Sequence, residues 1–484
     1  MEPIFQLPIV VPPRHSRNRL RALHRQLRAA ILEGRLQPGV RLPPTRAFAA
    51  AYGVSRNVAV ATYDLLLSEG YLSTRRGAGT YVADALPKVP ERKTAASRSA
   101  AHDRRLNAFW RQPPAGSDDL HRSAPRFDFC VGVPDIRQFP FDAWRRMSNR
   151  ALRAFAKKPA LYGSPLGQLA LREAIAKHVS FTRAVACRAE DVIVTTGAQQ
   201  VFDLLARILV TPGRTVVAME NPGYPSPRAA FLAAGGKVVP TPVDDEGLVV
   251  AKIPASARIV CVTPSHQSPL GPVMSAHRRA ALLEFAQAHG AVVIEDDYDG
   301  EFHFGGRPVD ALQTLDRSDS VFYVGTFSKS LFPAVRIGFV VAPRWAQQSL
   351  ATAKRYADSH CSVLAQETLA AFIAEGHLAR HVRRMRQVYA SRQQALLDGL
   401  QKDFERWLEP VPCGAGLHLA AFARGSLDVE SLVEKALQRE VGLHSLRRYQ
   451  FGRAGRPGLV FGYGTLDEAG IYEGLARLRR VCSE

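Results

Sequence analysis

The sequence implies an α/β protein in two parts, a small N-terminal helical unit and a much larger unit of alternating strands and helices. Three observations carry this expectation. Residues 18–34 place Leu20, Leu23, Leu27 and Ile31 at three- and four-residue spacing, one apolar stripe on a helix. Further along, several apolar, β-branched runs each end in a polar loop, as strands do at the binding edge of an α/β sheet. Between these regions, residues 85–127 hold prolines, serines, alanines and scattered charge, with little periodicity. Such a stretch is expected to be an extended linker. The expected units are therefore residues 1–84, a linker over 85–126, and residues 127–484.

A chain of 484 residues exceeds one ordinary domain, and 46% hydrophobic content supports a large core. No run of 18 apolar residues occurs, and the first residues lack the pattern of a signal peptide, so a soluble, cytoplasmic protein without a membrane partner is expected. The six cysteines, at 130, 187, 261, 361, 413 and 482, have no metal-ligand or paired spacing. They are read as reduced thiols, and no metal is expected. A net charge of +20 and a pI near 10.1 favour a polyanionic partner.

In the small unit the first helix stops at Gly34, and the segment from Arg41 to Arg46 opens a second short helix ending at Tyr52-Gly53. Ser55 caps a third, running to Glu69-Gly70. Tyr71 to Val82 reads as a hairpin with Arg75-Arg76-Gly77-Ala78-Gly79 at its tip. Helix, short helix, helix and basic hairpin make a winged helix-turn-helix. Its third helix would present Ser55, Arg56 and Asn57 to base edges, while Arg46, Arg75, Arg76 and Gly77 would meet phosphates. Residues 1–84 hold twelve arginines, no lysine and five acids. Arginine alone suits bidentate contact to phosphate and guanine, so double-stranded DNA is the expected partner.

The large unit carries five segments that ask for one cofactor. At Val192 to Gln200 a β-branched run turns through Gly197-Ala198-Gln199 into a helix, whose free N–H groups suit an anion. ENPGY, 220–224, places Tyr224 after a Pro-Gly turn, where a ring could stack on a flat heterocycle. TPSHQSPLG, 263–271, is a polar loop after an apolar strand. AVVIEDDYD, 291–299, ends a strand in consecutive acids, one of which could pair with a protonated pyridine nitrogen. VGTFSKSLFPAVRIGFVVA, 324–342, buries Lys329 among hydroxyl residues, and desolvation leaves more of such an amine neutral and nucleophilic toward a carbonyl. With Thr326, Ser328 and Arg336 as phosphate donors, the last segment reads as a pyridoxal 5′-phosphate anchor.

Taken in order, these segments resemble the fold-type I aminotransferases from about Phe127 to the C-terminus. That resemblance implies a mainly parallel central sheet with a smaller C-terminal α+β part. It implies that Lys329 is the Schiff-base lysine, that Ser328 and Arg336 hold the phosphate, and that Tyr224 covers the ring. Asp296, rather than Asp297, is expected at the pyridine nitrogen and Tyr298 at the phenolic oxygen. Tyr162, in LYGSPLGQLALREAIA, matches a segment that reaches the partner subunit's phosphate, which implies a dimer. For a substrate carboxylate the best match is Arg448, with Arg447 and Arg456 behind it. Ser268 stands where these enzymes have an asparagine, which weighs against efficient turnover.

The small unit resembles the GntR-type DNA-binding domain along its length, with Thr45 and Val58 in place of the usual serine and threonine. The whole layout is similar to the MocR subfamily of GntR regulators. That resemblance implies a head-to-tail homodimer that binds operator DNA and senses pyridoxal phosphate, or an amino compound reacting with it at Lys329. The alternative is an active aminotransferase carrying a DNA-binding tether.

Overall fold

The computed structural model describes residues 7–13, 16, 18–75, 77–84, 105–111, 125–157, 161–304, 310–452 and 455–483. The chain forms two compact units, residues 1–102 and 103–484.

In the first unit, α1 (Arg19–Leu32), α2 (Thr45–Ala51) and α3 (Arg56–Ser68) precede a hairpin of β1 (Leu72–Arg75) and β2 (Gly79–Val82). The stripe on α1 buries Leu23, Leu27 and Ile31 against Phe48, Tyr63 and Leu66, while Leu20 at the first turn is half-buried. Gly34, Gly53 and Gly70 have φ of +72°, +61° and +76°, the left-handed conformation that stops a helix at no steric cost to glycine. Ser55 caps α3 as expected, its hydroxyl accepting from Val58 N–H at 3.3 Å. The second helix starts within the expected segment: its cap is Pro44, which offers no side-chain hydrogen bond, and Thr45 is the first helical residue. His24 and Glu69, 2.9 Å apart, tie α1 to the end of α3.

The second unit begins with β3 (Phe127–Asp128), α4 (Phe141–Phe155), α5 (Leu169–Arg183), β4 (Val192–Thr195) and α6 (Ala198–Leu209). There follow β5 (Val216–Asn221), α7 (Pro225–Ala233), β6 (Lys237–Asp244), β7 (Gly247–Leu248), β8 (Ala257–Val262), α8 (Ala276–His289) and β9 (Val292–Asp297). Next come β10 (Val321–Thr326), β11 (Gly338–Val341), α9 (Arg344–Asp358), α10 (Val363–Ala374) and α11 (His377–Asp403). The eight-stranded sheet runs β4-β11-β10-β9-β8-β5-β6-β7. Strands β10, β9, β8, β5 and β6 run parallel to one another, β11 is antiparallel to both β10 and β4, and the edge strand β7 is antiparallel to β6. Strands β8 to β10 are almost wholly buried, as a sheet covered on both faces requires.

The C-terminal part adds β12 (Leu408–Pro410), β13 (His418–Ala423), α12 (Val429–Gln438), β14 (Val441–Gly442), β15 (His444–Ser445), β16 (Gly458–Gly462) and α13 (Glu468–Ser483). It forms a four-stranded antiparallel sheet, β12-β13-β16-β15, while β14 pairs with β3. The architecture is thus the mainly parallel sheet with a smaller C-terminal α+β part that the sequence implied. Most of the expected linker lies outside the described residues. Within it, Ala108–Arg111 form a short 3₁₀ turn near α7 rather than extended chain, with Phe109 and Trp110 packed edge to face at 4.9 Å. No helix among the described residues is long and apolar enough to cross a membrane.

Candidate functional site

The C-terminal ends of β9 and β10 and the β4–α6 turn open on a cavity of about 1010 Å³. Lys329, Asp296, Tyr298, Tyr224, Ala198, Gln199, Ser328, Arg336 and Arg448 all line it, although they span more than half of the second unit's sequence. Parallel strands deliver their C-terminal loops to one edge of the sheet, which is why residues so distant in sequence meet there.

Lys329 lies just past β10, and its Nζ donates to Gly132 O at 2.6 Å. Gly132 has φ +75°, a conformation that favours glycine, and a Cβ there would stand 2.6 Å from Nζ and displace the amine from this position. Burial lowers the Lys329 pKa, partly offset by Asp299 and Asp296, which makes the neutral, nucleophilic amine more accessible.

The two acids at the end of β9 point to opposite faces of the sheet, as successive strand residues must. Asp297 is committed: its carboxylate accepts from Arg183 Nε at 2.7 Å and from the Tyr323 hydroxyl at 2.6 Å. Burial works against the Asp297 carboxylate, but Arg183 and Tyr323 hold it below the ordinary range. Asp296, on the cavity side, is buried with Oδ1 lacking a hydrogen-bond partner. Burial, and then the Asp297 charge, push it up to about 8. An unpartnered buried carboxyl facing a cavity suits a cationic N–H donor on a ligand.

These two environments predict different mutant behaviour. Asp297→Ala is expected to cost about 3–5 kcal/mol of stability, since it strands the buried Arg183 guanidinium. A urea midpoint unchanged from wild type would show that this pair is not structural. Asp296 is also expected to set a pH dependence of stability in the ligand-free protein. Its folded pKa lies above its unfolded one, so its contribution is complete below about pH 4 and is lost as pH rises through about 8. Glu220 and Glu295, each raised to about 7 by burial, act in the same direction. The melting temperature of cofactor-free protein should therefore fall across this window, and Asp296→Asn should flatten the upper part of that fall.

One end of the cavity is assembled from three elements. Gly197, φ +96°, caps α6, and Ala198 and Gln199 in its first turn line the cavity. Ser328 N–H donates to Thr326 Oγ1 at 3.2 Å, and the two hydroxyls stand 3.0 Å apart. Arg336 has φ +49°, an uncommon conformation for a side-chain-bearing residue and one that recurs at ligand clamps. Its Nη2 donates to Thr196 O at 2.6 Å, and a Cβ on Gly197 would lie 3.1 Å from the same nitrogen. A helix N-terminus, two hydroxyls and a guanidinium make a cradle for a phosphate dianion.

Arg447 and Arg448 also line the cavity, with His444 and Tyr449. Arg456 is engaged elsewhere, 2.8 Å from Glu409 and stacked on Phe422. Tyr162 lies outside the cavity and is 89% exposed.

One cluster escaped the sequence reading. Tyr298 Oη lies 3.0 Å from His266 Nδ1, which is also 2.9 Å from Asp299 Oδ2. His266 Nε2 is 3.1 Å from Cys413 Sγ. Burial disfavours the His266 imidazolium, but Asp299 and Cys413 outweigh it and hold its pKa well above the ordinary value. His418, buried beside His266, is pushed well below its ordinary value, first by burial and then by the neighbouring His266 charge. His266 sits in the polar loop already noted, and Asp299 follows the acid pair, but nothing in the sequence links either to position 413.

In the first unit, Arg46, Ser55, Arg56 and Asn57 are exposed, the last three at the N-terminal end of α3. Arg75 and Gly77 are exposed on the hairpin, with Arg75 stacked on Tyr81 and 3.2 Å from Asp84. Arg76 lies outside the described residues.

Comparison with known proteins agrees with this division. Residues 20–82 match the bacterial regulatory proteins of the gntR family, and residues 125–459 match aminotransferase class I and II. The chain is 39% identical over 461 residues to the probable rhizopine catabolism regulatory protein MocR of Rhizobium meliloti, covering 95% of this chain and 92% of that one. It is 33% identical over 468 residues to the pyridoxine biosynthesis transcriptional regulator PdxR of Corynebacterium glutamicum, covering 96% of each. Among solved structures, the α-aminoadipate aminotransferase LysN of Thermus thermophilus, in complex with N-(5′-phosphopyridoxyl)-L-leucine, is 28% identical with a TM-score of 0.72, covering 78% of this chain and 97% of that one. With a gntR-type domain joined to an aminotransferase class I and II domain, and full-length similarity to MocR and PdxR, the chain belongs to the MocR subfamily of GntR regulators.

Proposed function

We propose that this protein is a DNA-binding transcriptional regulator whose large domain holds pyridoxal 5′-phosphate and senses it, or an amino compound that reacts with it. The observation that carries the reading is the unpartnered Asp296 carboxyl, facing the same cavity as the Lys329 amine and the Ser328–Arg336 cradle. These residues fit the group: a carboxyl for a pyridinium, an amine for an aldehyde, and a cradle for a phosphate. When bound, the cofactor supplies an electrophilic carbon and an electron-withdrawing ring.

The chain's own residues would do the rest. Gly132 O holds the Lys329 amine in place, and burial keeps it poised to lose its proton. Asp296 would receive the pyridinium N–H, Tyr298 would meet the phenolic oxygen, and Tyr224 would cover the ring. Ala198, Gln199, Ser328 and Arg336 would bind the phosphate, with Gly197 giving the guanidinium its close approach. Arg448 would take an effector carboxylate. Ser55, Arg56 and Asn57 would read bases, with Arg46, Arg75, Arg76 and Gly77 on phosphates. A head-to-tail dimer, with Tyr162 reaching the partner's phosphate, would couple cofactor state to operator affinity if the ligand binds its two arrangements unequally.

A working aminotransferase is the second reading, favoured by the completeness of the cofactor-facing set. The two are separated by measuring operator binding and turnover on one preparation. Sequence-specific retention of the chain's own upstream DNA, changed by pyridoxal phosphate, supports the regulator. Turnover of amino donors at about 1–1000 per second without sequence preference makes it an enzyme.

A further inference from the structure

We propose that Cys413 is a reactive thiol toward small hydroperoxides and soft electrophiles, activated by the His266–Asp299 pair and linked through Tyr298 to the cofactor cavity. The geometry is that of an activated nucleophile. Sulfur, imidazole and carboxylate stand in series, with Sγ 3.1 Å from His266 Nε2 and Nδ1 2.9 Å from Asp299 Oδ2. Such an order lets the ring take the thiol proton while the carboxylate orients the ring and stabilises its charge.

The setting is shaped for this trio. Gly416 has φ +85°, and a Cβ there would stand 2.1 Å from His266 Cε1. Gly271 has φ +100°, and a Cβ there would stand 3.0 Å from Cys413 Sγ. Two glycines thus permit the ring and the sulfur to sit where they do. Cys413 is only half-buried, in a loop between exposed Pro412 and Gly414.

Four of the other five cysteines have surroundings that disfavour a thiolate. Cys261 and Cys361 are buried, and burial pushes Cys187 and Cys482 up to about 11. A thiolate is the reacting form, so those four are disfavoured as nucleophiles near neutral pH.

With a hydroperoxide the step balances. Sγ attacks one peroxide oxygen, an S–O bond forms and the O–O bond breaks. The thiol proton, carried by His266 Nε2, passes to the departing oxygen, giving a sulfenic acid and an alcohol or water. Sulfur is oxidised and the peroxide reduced. Oxidation of Sγ, 3.1 Å from His266 Nε2, replaces the thiol contact of that ring and so moves His266. Tyr298, 3.0 Å from the same ring, then shifts within the cavity. This reporting step rests on the proposed cofactor reading, whereas thiol reactivity does not.

Full-length protein loaded with pyridoxal phosphate tests both parts. Substoichiometric hydrogen peroxide with dimedone, and separately iodoacetamide, are applied at pH 7 and the modified peptides quantified by mass spectrometry. Cys413 should react at least about tenfold faster than Cys187 or Cys482. His266→Gln and Asp299→Asn should each remove most of that advantage, read as the ratio of Cys413 to Cys187 in one sample. Equal rates in wild type, or a ratio unchanged in folded His266→Gln protein, overturn the assignment. Should the variants unfold, all thiols label together and the wild-type ratio decides. Peroxide should also shift the visible cofactor band of wild type but not of Cys413→Ser. Selective labelling with an unmoved band overturns the link through Tyr298. A preparation with no cofactor band at all counts against the cofactor reading instead.

Discussion

Lys329→Ala is expected to abolish the covalent attachment of pyridoxal phosphate and, with it, the visible absorbance of the purified protein. The reason is local. Lys329 projects into the cavity at the end of β10, anchored 2.6 Å from Gly132 O and desolvated toward its neutral form. Removing it takes away the nucleophile without disturbing a core side chain, so the fold should survive. Borohydride reduction followed by peptide mapping checks this: wild type should carry the reduced cofactor on the Lys329 peptide and the variant on none. A trapped adduct at another lysine would reassign the anchor. Asp296→Ala should act differently, retaining the lysine but weakening cofactor binding, because the pyridinium loses its ion pair.

Removal of residues 1–84 should eliminate sequence-specific DNA binding and leave the cofactor complex intact. The first unit has its own core, Leu23, Leu27, Ile31, Phe48, Tyr63 and Leu66, and the described residues that line the second unit's cavity all lie from Pro125 onward. The full-length protein should bind its operator with affinity that falls steeply with salt, by roughly 0.9 logarithmic units per phosphate neutralised. Arg56→Ala, at the exposed start of α3, should relax base preference at a cost of about 1–3 kcal/mol per half-site. Arg46→Ala should weaken all sequences alike and reduce the salt slope by about one. An Arg56→Ala protein with unaltered sequence preference would remove α3 from the base-reading role.

The helical stripe of α1, the glycines that stop each helix, the Ser55 cap and the sequence of strand ends facing a common edge were all legible in the chain. Each depends on local periodicity or on one residue's backbone freedom, and such signals need no knowledge of what lies across the fold. The order of these segments also sufficed to resemble the aminotransferase and GntR-type folds. Side-chain commitments were less legible. Asp296 and Asp297 are adjacent and chemically identical, and the pleat sends them to opposite faces; Arg183, arriving from α5, engages Asp297 and leaves Asp296 facing the cavity. Arg448 and its alternatives Arg447 and Arg456 are alike by type, yet Glu409 on β12 engages Arg456, which does not line the cavity. Cys413 reads as an ordinary thiol until β13 and the β8 loop bring it to His266 across 147 residues of chain. Sequence thus determined which elements form and where their ends lie, because local backbone preferences and hydrophobic spacing act over a few residues. Only the tertiary structure decided which side chains are paired, which are left facing the cavity, and which distant groups meet, because partners there are set by long-range packing.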